Sequence, residues 1–327
     1  MVGGRSLRIV FFGTPEFAVP TLDALLRSRH QVVGVVTQPD RPRGRGQRVA
    51  LSPVKQRAMD AGLAVLQPDR LREDAFLESL TTMGADLGVV AAYGKILTDR
   101  VLTMPTLGLL NVHASVLPKY RGASPVHRAV IAGDRETGVT IMRVVKALDA
   151  GPMLAVAGRP IGPDETSDQV ERDLAEIGAD LLLTTLDDLA AGRVSETPQN
   201  DAEATYAPRL TKDDGVVDWN VPAERLHNLV RGLQPWPQAF SFLGNRRVIL
   251  KRTGSDPSGS ISGAGRGQTP GTILEAHGDT LLVAAGDGGL RLLDVQLEGK
   301  RPMSAREFLA GHRVNAGDRF TPAPRVE

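Results

Sequence analysis

The feature that most constrains this chain is a set of apolar runs in its first half that do not alternate with polar residues. These runs cover residues 7–12, 31–37, 64–66, 86–92 and 109–112. Stretches with helical spacing of apolar residues lie between them, near 18–26, 53–61 and 73–82. Strands without polar alternation are typical of a parallel sheet that helices cover on both faces. The pattern predicts a doubly wound α/β domain with a mostly parallel, Rossmann-like sheet.

A longer helix is expected to close this domain. Thr166, followed by Gln169 three residues later, resembles a capping box, apolar residues recur at helical spacing from Val170 onward, and Gly192 ends the pattern. We therefore assign residues 1–205 to the first domain.

The texture of the sequence changes in residues 206–327. Short apolar strands are expected at VVDW, RRVILKR, GTILEA, TLLVAAG and GLRLLDVQ, and they are separated by turns. Residues 254–271 are rich in Gly, Ser and Pro, which predicts a flexible loop. This series predicts a small β-barrel or sandwich. A chain of 327 residues is also longer than one hydrophobic core usually fills, which favours two domains.

Composition excludes several kinds of chemistry. The chain has no cysteine, so it has neither disulfides nor thiolate nucleophiles, and its six histidines form no HExxH pair, so we predict no metal site. No apolar run approaches the ~20 residues that cross a bilayer. We expect a cytoplasmic protein that does not contact membranes.

The residues most suggestive of chemistry lie in LLNVHASVLPKYRGASP. Asn111 and His113 are two apart on a strand, so their side chains should face the same space at its carboxyl end, where open α/β sheets bind ligands. Asp149 follows the next strand and is either a turn former or the carboxylate that orients or charges His113. The first glycine turn, FFGTPEF, lacks both G-x-G-x-x-G and a Walker lysine, which disfavours a dinucleotide enzyme.

The string NVHASVLPKYRGASPV, followed by ETGVTIM and LDAGPML, resembles the formyl-folate-dependent formyltransferase superfamily. The resemblance extends through RIVFFGTPEFA, VVTQPDRPRGRGQRV, AAYGKIL, TYAPRLTKDDGVVDW, PWP and PGTILEA, and so covers nearly the whole chain. It implies that Asn111, His113 and Asp149 are catalytic. It also implies that the folate carrier is bound by residues of two motifs, Ser115, Val116, Leu117 and Pro118 in the first and Tyr93 and Gly94 in the second. Val116 stands where the family usually has leucine.

Formyl transfer to an amine needs side chains of this kind. Attack on the formyl carbon places negative charge on its oxygen, and one fixed donor aimed at that oxygen is worth roughly 3 to 4 kcal/mol. The Asn111 amide and a protonated His113 are suitable donors. Histidine titrates near neutral pH, so His113 can also accept or relay the proton that the amine loses. Asp149 either fixes the ring or holds a relaying water.

Within the superfamily the resemblance is closer to the branch whose acceptor is the methionine on initiator tRNA. It implies transfer of a formyl group from 10-formyltetrahydrofolate to methionyl initiator tRNA for translation initiation, by a monomer whose second domain is a barrel of the oligonucleotide-binding (OB) type. The stretch PDRPRGRGQRV is too rich in Gly and Pro for a helix or a strand, and we predict an arginine loop there that grips the tRNA. The predicted tRNA contacts are Arg41, Arg43, Arg45 and Arg48 in that loop and Arg246, Arg247, Lys251 and Arg252 in the second domain.

Two other functions share part of this pattern. A formyltransferase for an amino sugar or a purine precursor would use the same three catalytic residues, but the arginine loop, the sizeable second domain and the PWP motif disfavour it. A non-enzymatic RNA-binding module is disfavoured by the intact set of Asn111, His113 and Asp149.

Overall fold

A computed structural model describes residues 5–43, 48–254 and 267–324. The chain forms two compact units, one made of residues 1–125, 136–159 and 171–208 and the other of residues 126–135, 160–170 and 209–327. The sequence suggested a single cut between residues 205 and 206, which stays a prediction for the boundary between functional domains.

The elements as far as residue 207 follow in chain order. They are β1 (Arg8–Gly13), α1 (Val19–Arg27), β2 (Gln31–Val36), β3 (Arg41–Arg43), β4 (Arg48–Ala50), α2 (Pro53–Asp60), β5 (Val65–Leu66), α3 (Asp74–Thr82), β6 (Leu87–Ala91), α4 (Asp99–Leu102), β7 (Leu109–His113), β8 (Arg121–Gly122), α5 (Pro125–Ala132), β9 (Glu136–Arg143), β10 (Met153–Pro160), α6 (Ser167–Ala190) and β11 (Tyr206–Ala207).

The first unit is built on a seven-stranded sheet with the order β10-β9-β7-β6-β1-β2-β5. Five strands, β7, β6, β1, β2 and β5, run parallel to one another, and β9 runs antiparallel to β7. The predicted doubly wound, mostly parallel sheet is therefore confirmed. Because β1, β6 and β7 are parallel, their carboxyl ends meet at one edge, and β7 ends there in His113.

The arginine stretch is not the irregular loop that its glycines and prolines suggested. Strands β3 and β4 form an antiparallel hairpin in which Pro42 pairs with Val49, so the prediction that no strand forms there was wrong. In a two-stranded ribbon each strand has one edge that pairs with no other strand. Proline lacks an N–H, so it is tolerated where its nitrogen faces this unpaired edge, because no hydrogen bond between the strands is lost there. Residues 44–47, including Arg45, lie outside the described part of the chain.

The predicted long helix is present as α6, and half of its capping box forms. The Thr166 backbone N–H donates to Oε1 of Gln169 at 2.9 Å, as in a capping box. The Gln169 N–H donates to the Thr166 carbonyl at 3.1 Å and not to its hydroxyl, which itself donates to Oδ1 of Asp168 at 2.6 Å and Oε1 of Gln169 at 3.0 Å. The signal therefore located the start of the helix correctly although the hydroxyl has another partner.

The remaining elements belong to the second unit. They are α7 (Ala223–Gly232), β12 (Ala239–Leu243), β13 (Arg246–Gly254), β14 (Ile273–His277), β15 (Thr280–Ala284), β16 (Gly289–Leu297), β17 (Met303–Ser304), α8 (Ala305–Gly311) and β18 (Phe320–Thr321). The antiparallel sheet has the order β14-β15-β16-β13-β12-β18.

A bridge between Thr272 and Arg319 joins the two ends of this antiparallel sheet. The Phe320 N–H also donates to the Gly271 carbonyl at 2.8 Å, so the sheet curls into a closed barrel, as predicted. Most of the predicted loop at 254–271 lies outside the described residues.

Two details of the barrel differ from the sequence prediction. VVDW is not a strand, apart from one bridge between Val216 and Phe240. It is apolar because Val217 and Trp219 are buried in the barrel core, where Trp219 Nε1 donates to Oγ of Ser241 at 3.0 Å. The strand β12, with the sequence AFSFL, was not predicted.

Candidate active site

The centre of the candidate site is the end of β7. Asn111 lies between Val90 of β6 and Met142 of β9, and it is only partly buried. His113 pairs with Thr140 of β9 and is 5% exposed. The two side chains are separated by one residue on a regular strand, so they share one face of the sheet, as predicted from their spacing.

The His113 ring is oriented by a backbone carbonyl. Its Nε2 lies 3.0 Å from the carbonyl oxygen of Tyr120. A carbonyl can only accept a hydrogen bond, so Nε2 carries a proton and donates. The neutral ring therefore has its lone pair on Nδ1, and Nδ1 is the atom that gains or loses a proton.

The Asp149 carboxylate faces that nitrogen. Its Oδ2 lies 3.8 Å from Nδ1 of His113 and accepts the backbone N–H of Gly122 at 2.8 Å. The separation from His113 is too long for a direct hydrogen bond but short enough for an ion pair once the ring is protonated. Asp149 can therefore stabilise a charged His113 while a neighbouring N–H holds the carboxylate.

The turn that contains Asp149 adopts an uncommon backbone conformation. Asp149 has φ 46°, in the left-handed region that few non-glycine residues occupy. Two residues later, a Cβ added to Gly151 would lie 1.9 Å from the carbonyl oxygen of Arg143, so only glycine fits there without a backbone shift. The chain returns to the sheet when the Arg143 N–H donates to the Pro152 carbonyl at 2.9 Å.

The predicted folate turn follows β7 directly and is held by its own hydrogen bonds. Ser115 Oγ donates to the Lys119 carbonyl at 2.6 Å, and the Leu117 N–H donates to Oγ1 of Thr140 at 3.1 Å. Ser115 and Leu117 are buried, whereas Val116 is 40% exposed. Pro118 completes the turn. Of these side chains, Val116 is the most exposed and Pro118 is partly buried, while the Ser115 hydroxyl and the Leu117 backbone hold the turn in shape.

Tyr93 and Gly94, also predicted to bind folate, lie beyond the end of β6. The Tyr93 ring is 2% exposed and packs edge-on against Phe12 with ring centroids 5.6 Å apart. The Tyr93 carbonyl accepts from Oγ1 of Thr14 and Nε2 of Gln38. The ring belongs to the core, so a role in folate binding would fall to the backbone at these two positions.

The Tyr93 hydroxyl predicts a stability effect. It is buried and has no hydrogen-bond partner within the described ranges, and burial raises the pKa of Tyr93 to about 12. An unsatisfied buried hydroxyl is unfavourable, so Tyr93→Phe should leave the free energy of unfolding unchanged or raise it by about 1 kcal/mol. Tyr206→Phe, at a position 65% exposed, is the control.

The same hydroxyl should show a pH dependence. A raised pKa means that the folded state favours the neutral phenol, whereas an unfolded tyrosine ionises near pH 10. This contribution to stability is complete below pH 10 and is lost as the pH rises to about 12. In denaturant titrations from pH 9 to 12, the unfolding free energy of Tyr93→Phe should exceed that of the original protein by an amount that grows with pH. A difference that stays constant over this range would contradict the prediction.

The predicted tRNA-binding residues of the barrel lie on or beside β13. Arg246 is exposed. Arg247 pairs with Glu298 at 3.0 Å and stacks over the Phe240 ring at 3.7 Å, and Arg252 pairs with Asp294 at 2.6 Å. Two of the four cations are thus already neutralised by carboxylates within the barrel.

Lys251 is partly buried. Its Nζ lies 3.4 Å from Oε1 of Gln234, and burial lowers its pKa. The hairpin of β3 and β4 carries Arg41, Arg43 and Arg48 at described backbone positions. Among the described residues no cluster of three or more His, Asp or Glu side chains could hold a metal ion, and no helix is long and apolar enough to span a membrane.

The sequence did not reveal the backbone groups that complete the site. The Tyr120 carbonyl and the Gly122 N–H hold His113 and Asp149 in place. Backbone groups are present at every residue, so no residue type marks them in advance. The glycine at 122 is a partial signal, because its φ of 120° and a Cβ position 2.8 Å from the Ala207 carbonyl oxygen exclude other residues.

The mostly parallel α/β sheet and the curled antiparallel sheet that follows it match the two domains of a formyltransferase, and family models show that class. The family model described as "Formyl transferase" matches residues 7–186, and the one described as "Formyl transferase, C-terminal domain" matches residues 209–313.

Individual proteins narrow the class further. The chain is 46% identical to a methionyl-tRNA formyltransferase of Heliobacterium modesticaldum over 96% of this chain and 100% of the relative. It is 43% identical to that of Caldanaerobacter subterraneus subsp. tengcongensis over 95% of this chain and 99% of the relative. The chain belongs to the methionyl-tRNA formyltransferase family.

Solved structures share the fold at low sequence identity. The sugar 3N-formyl transferase WlaRD, in the presence of dTDP and 5-N-formyl-THF, is similar with a TM-score of 0.65 and 16% identity over 91% of this chain and all of that one. HypX from Aquifex aeolicus, in complex with tetrahydrofolic acid, is similar with a TM-score of 0.63 and 17% identity over 93% of this chain and 47% of that one.

Proposed function

We propose that this protein transfers the formyl group of 10-formyltetrahydrofolate to the α-amino group of methionyl initiator tRNA, for use in translation initiation. The observation that carries the proposal is the 43–46% identity, over about 95% of the chain, to proteins named methionyl-tRNA formyltransferase. The approach of His113 to Asp149 beside Asn111 supports it, because those three groups suit formyl transfer to an amine. We place the reaction in the cytoplasm and the protein as a monomer.

We assign the catalytic roles as follows. The Asn111 amide donates to the formyl oxygen as negative charge develops there in the tetrahedral intermediate. His113 Nδ1 takes the proton that the attacking nitrogen loses, and Asp149 stabilises the resulting imidazolium. The same proton is then available to the folate nitrogen when its bond to the formyl carbon breaks. One bond to carbon forms and one breaks, and the proton count balances.

We also propose that the two domains have different functions. Residues 1–205 bind the formyl-folate carrier and carry out the transfer, with the turn from Ser115 to Pro118 and the backbone of Tyr93 and Gly94 as the folate contacts. Residues 206–327 bind tRNA. The exposed Val116 in the first turn and the basic side chains of β13 support these assignments.

A substrate panel tests the function. The purified protein is given 10-formyltetrahydrofolate with charged initiator tRNA, charged elongator tRNA, an amino sugar nucleotide or a purine precursor. We expect formylation of charged initiator tRNA at a rate well above that of any other acceptor. Preferred formylation of the amino sugar or the purine precursor would overturn the proposal, and so would no transfer to any acceptor.

The arginine hairpin provides a separate prediction about tRNA binding. Changing Arg43, Arg45 and Arg48 together to glutamine should weaken tRNA binding and flatten its dependence on salt, since each phosphate contact contributes roughly 0.7 to 0.9 to the slope of log K against log salt. Folate binding should be unchanged. Binding is measured by fluorescence titration of labelled tRNA across a range of salt concentrations.

A charge-matched variant controls for the loss of three positive charges. Arg5, Arg100 and Arg193 are exposed and pair with nearby carboxylates in the first unit. Their triple glutamine variant should leave the salt slope within error of the original. If both triple variants show the same slope as the original protein, the hairpin does not contact the tRNA phosphates.

A further inference from the structure

The turn that carries Asp149 needs external support. Asp149 has a left-handed backbone conformation, φ 46°, and its carboxylate is 3.8 Å from the ring nitrogen of His113. A residue of this type in that region persists only where its surroundings fix it. A shift of the turn would move the carboxylate away from His113, so whatever holds the turn also sets the geometry of the proposed catalytic pair.

Gln199 supplies that support from a distant part of the sequence. Its side-chain Nε2 donates to the backbone carbonyl of Asp149 at 2.8 Å and to that of Gly151 at 2.8 Å. A primary amide has two N–H donors, and both are used on carbonyls that flank a single residue. The side chain therefore fastens the turn on both sides of Ala150.

The orientation of the Gln199 amide is fixed by a buried arginine. Its Oε1 accepts from Nε of Arg121 at 3.0 Å and from Nη2 of Arg121 at 2.8 Å. Arginine only donates, so the oxygen of the amide must face Arg121 and its nitrogen must face the turn. Arg121 is 4% exposed and also pairs with the exposed Asp201 at 2.7 Å.

Residues 120–122 contact both members of the proposed catalytic pair, His113 and Asp149. The Tyr120 carbonyl accepts from His113, the Gly122 N–H donates to Asp149, and Arg121 between them holds Gln199. The contacts form one connected set in which the backbone at Tyr120, just before β8, orients the imidazole and the backbone at Gly122 of β8 orients the carboxylate. The Arg121 side chain acts on the Asp149 turn through Gln199.

We infer that Gln199 is a positioning residue for the transfer reaction, because its amide clamps the turn that presents Asp149 to His113. The inference rests on the proposed function. It assigns Gln199 no contact with either substrate. The effect of Gln199 should therefore appear in kcat and its pH dependence, while the KM values for folate and tRNA stay the same.

The Gln199→Glu variant separates this role from simple support of Arg121. A carboxylate keeps the acceptor that Arg121 needs but removes both donors and places negative charge against two carbonyls. We expect a melting temperature within about 3 °C of the original and a kcat lower by about 100-fold, the effect that a 1 Å misplacement of reacting groups can have. The pH profile of kcat should shift towards that of Asp149→Asn.

Asp201→Ala is the matched control, because it removes the other acceptor of Arg121 and leaves the amide clamp intact. We expect its kcat within twofold of the original. A Gln199→Glu enzyme with kcat within twofold of the original would overturn the inference. If the glutamate variant does not fold, Gln199→Asn is assessed by the same readouts, because it keeps an acceptor for Arg121 but is one methylene too short to reach Arg121 and both carbonyls of the turn together.

A double-mutant cycle tests whether Gln199 acts through Asp149. In an Asp149→Asn background, measured by single turnover with excess enzyme, adding Gln199→Glu should lower the rate by less than about threefold, because coupled residues are not additive. A full second 100-fold loss would overturn the inference. The proposed function fails separately, if the unaltered protein does not formylate initiator tRNA at all.

Discussion

The His113→Ala variant should fold normally and lose most of its transfer rate. Loss of a general acid or base typically lowers kcat by about 10²- to 10⁴-fold. The ring is held by a single carbonyl, from Tyr120, at the carboxyl end of β7, so its removal leaves the sheet pairing of β7 with β6 and β9 intact. Single-turnover formylation and circular dichroism together check the expectation.

The Asp149→Ala variant should show a loss of similar size by a different route. Without the carboxylate, a protonated His113 has lost the negative charge 3.8 Å from its Nδ1, so the charged intermediate is less stable. Since the two residues act as a unit, the transfer rate of the double variant should be only a little lower than that of the less active of the two single variants.

Histidine at an unrelated exposed position serves as the control. His277 is 74% exposed at its side chain and pairs with Glu275 in the barrel. His277→Ala should keep the full rate. Near-full turnover by either His113→Ala or Asp149→Ala would remove that residue from the catalytic assignment, whatever the identity of the acceptor.

The sequence predicted the sheet well because buried parallel strands have a direct signature. The apolar runs at β1, β2, β6 and β7 indicate strands buried on both faces of a helix-covered sheet, whereas the order of the strands has no such signature and was not predicted. The arginine hairpin was missed for a related reason. Its strands, RPR and RVA, are three residues long and have no run of apolar residues, so the sequence holds no pattern that would predict them.

In the barrel the prediction failed in the opposite direction, because the buried segment VVDW was taken for a strand. VVDW is apolar because Val217 and Trp219 fill the core, yet its backbone forms no ladder beyond the bridge at Val216. Burial sets which side chains are apolar, whereas ladder formation depends on where the backbone runs. In β12 the apolar alternation is short and includes Ser241, which is buried because it accepts from Trp219.

In the candidate site the catalytic side chains could be predicted from the sequence, whereas the groups that hold them in place could not. Asn111, His113 and Asp149 could be selected because their chemistry is explicit in their residue types. Their mutual approach could not be derived, since Asp149 reaches His113 through a turn whose shape depends on Gln199, fifty residues later. A glutamine among polar residues has no local feature that marks it as a support for a distant turn.

The Gly151→Ala variant should combine a loss of stability with a loss of activity. The added Cβ would lie 1.9 Å from the Arg143 carbonyl oxygen and 2.9 Å from its carbon, both parts of a strand backbone that has little freedom to move. Overpacking of this kind typically costs about 1–3 kcal/mol of unfolding free energy.

The loss of activity should exceed what partial unfolding explains. Gly151 is two residues after Asp149 and its carbonyl accepts one arm of the Gln199 clamp, so any backbone shift that relieves the clash displaces the carboxylate from His113. We expect kcat to fall by at least about 100-fold at temperatures where the variant is fully folded.

Gly158→Ala on β10 is the matched control in the same unit. The nearest atom to its added Cβ is the Thr137 carbonyl oxygen at 3.7 Å, an ordinary contact, and the residue is exposed. It should keep both stability and rate. If Gly151→Ala proves as active as Gly158→Ala, the Asp149 turn tolerates displacement, and the transfer rate does not depend on the placement of that carboxylate.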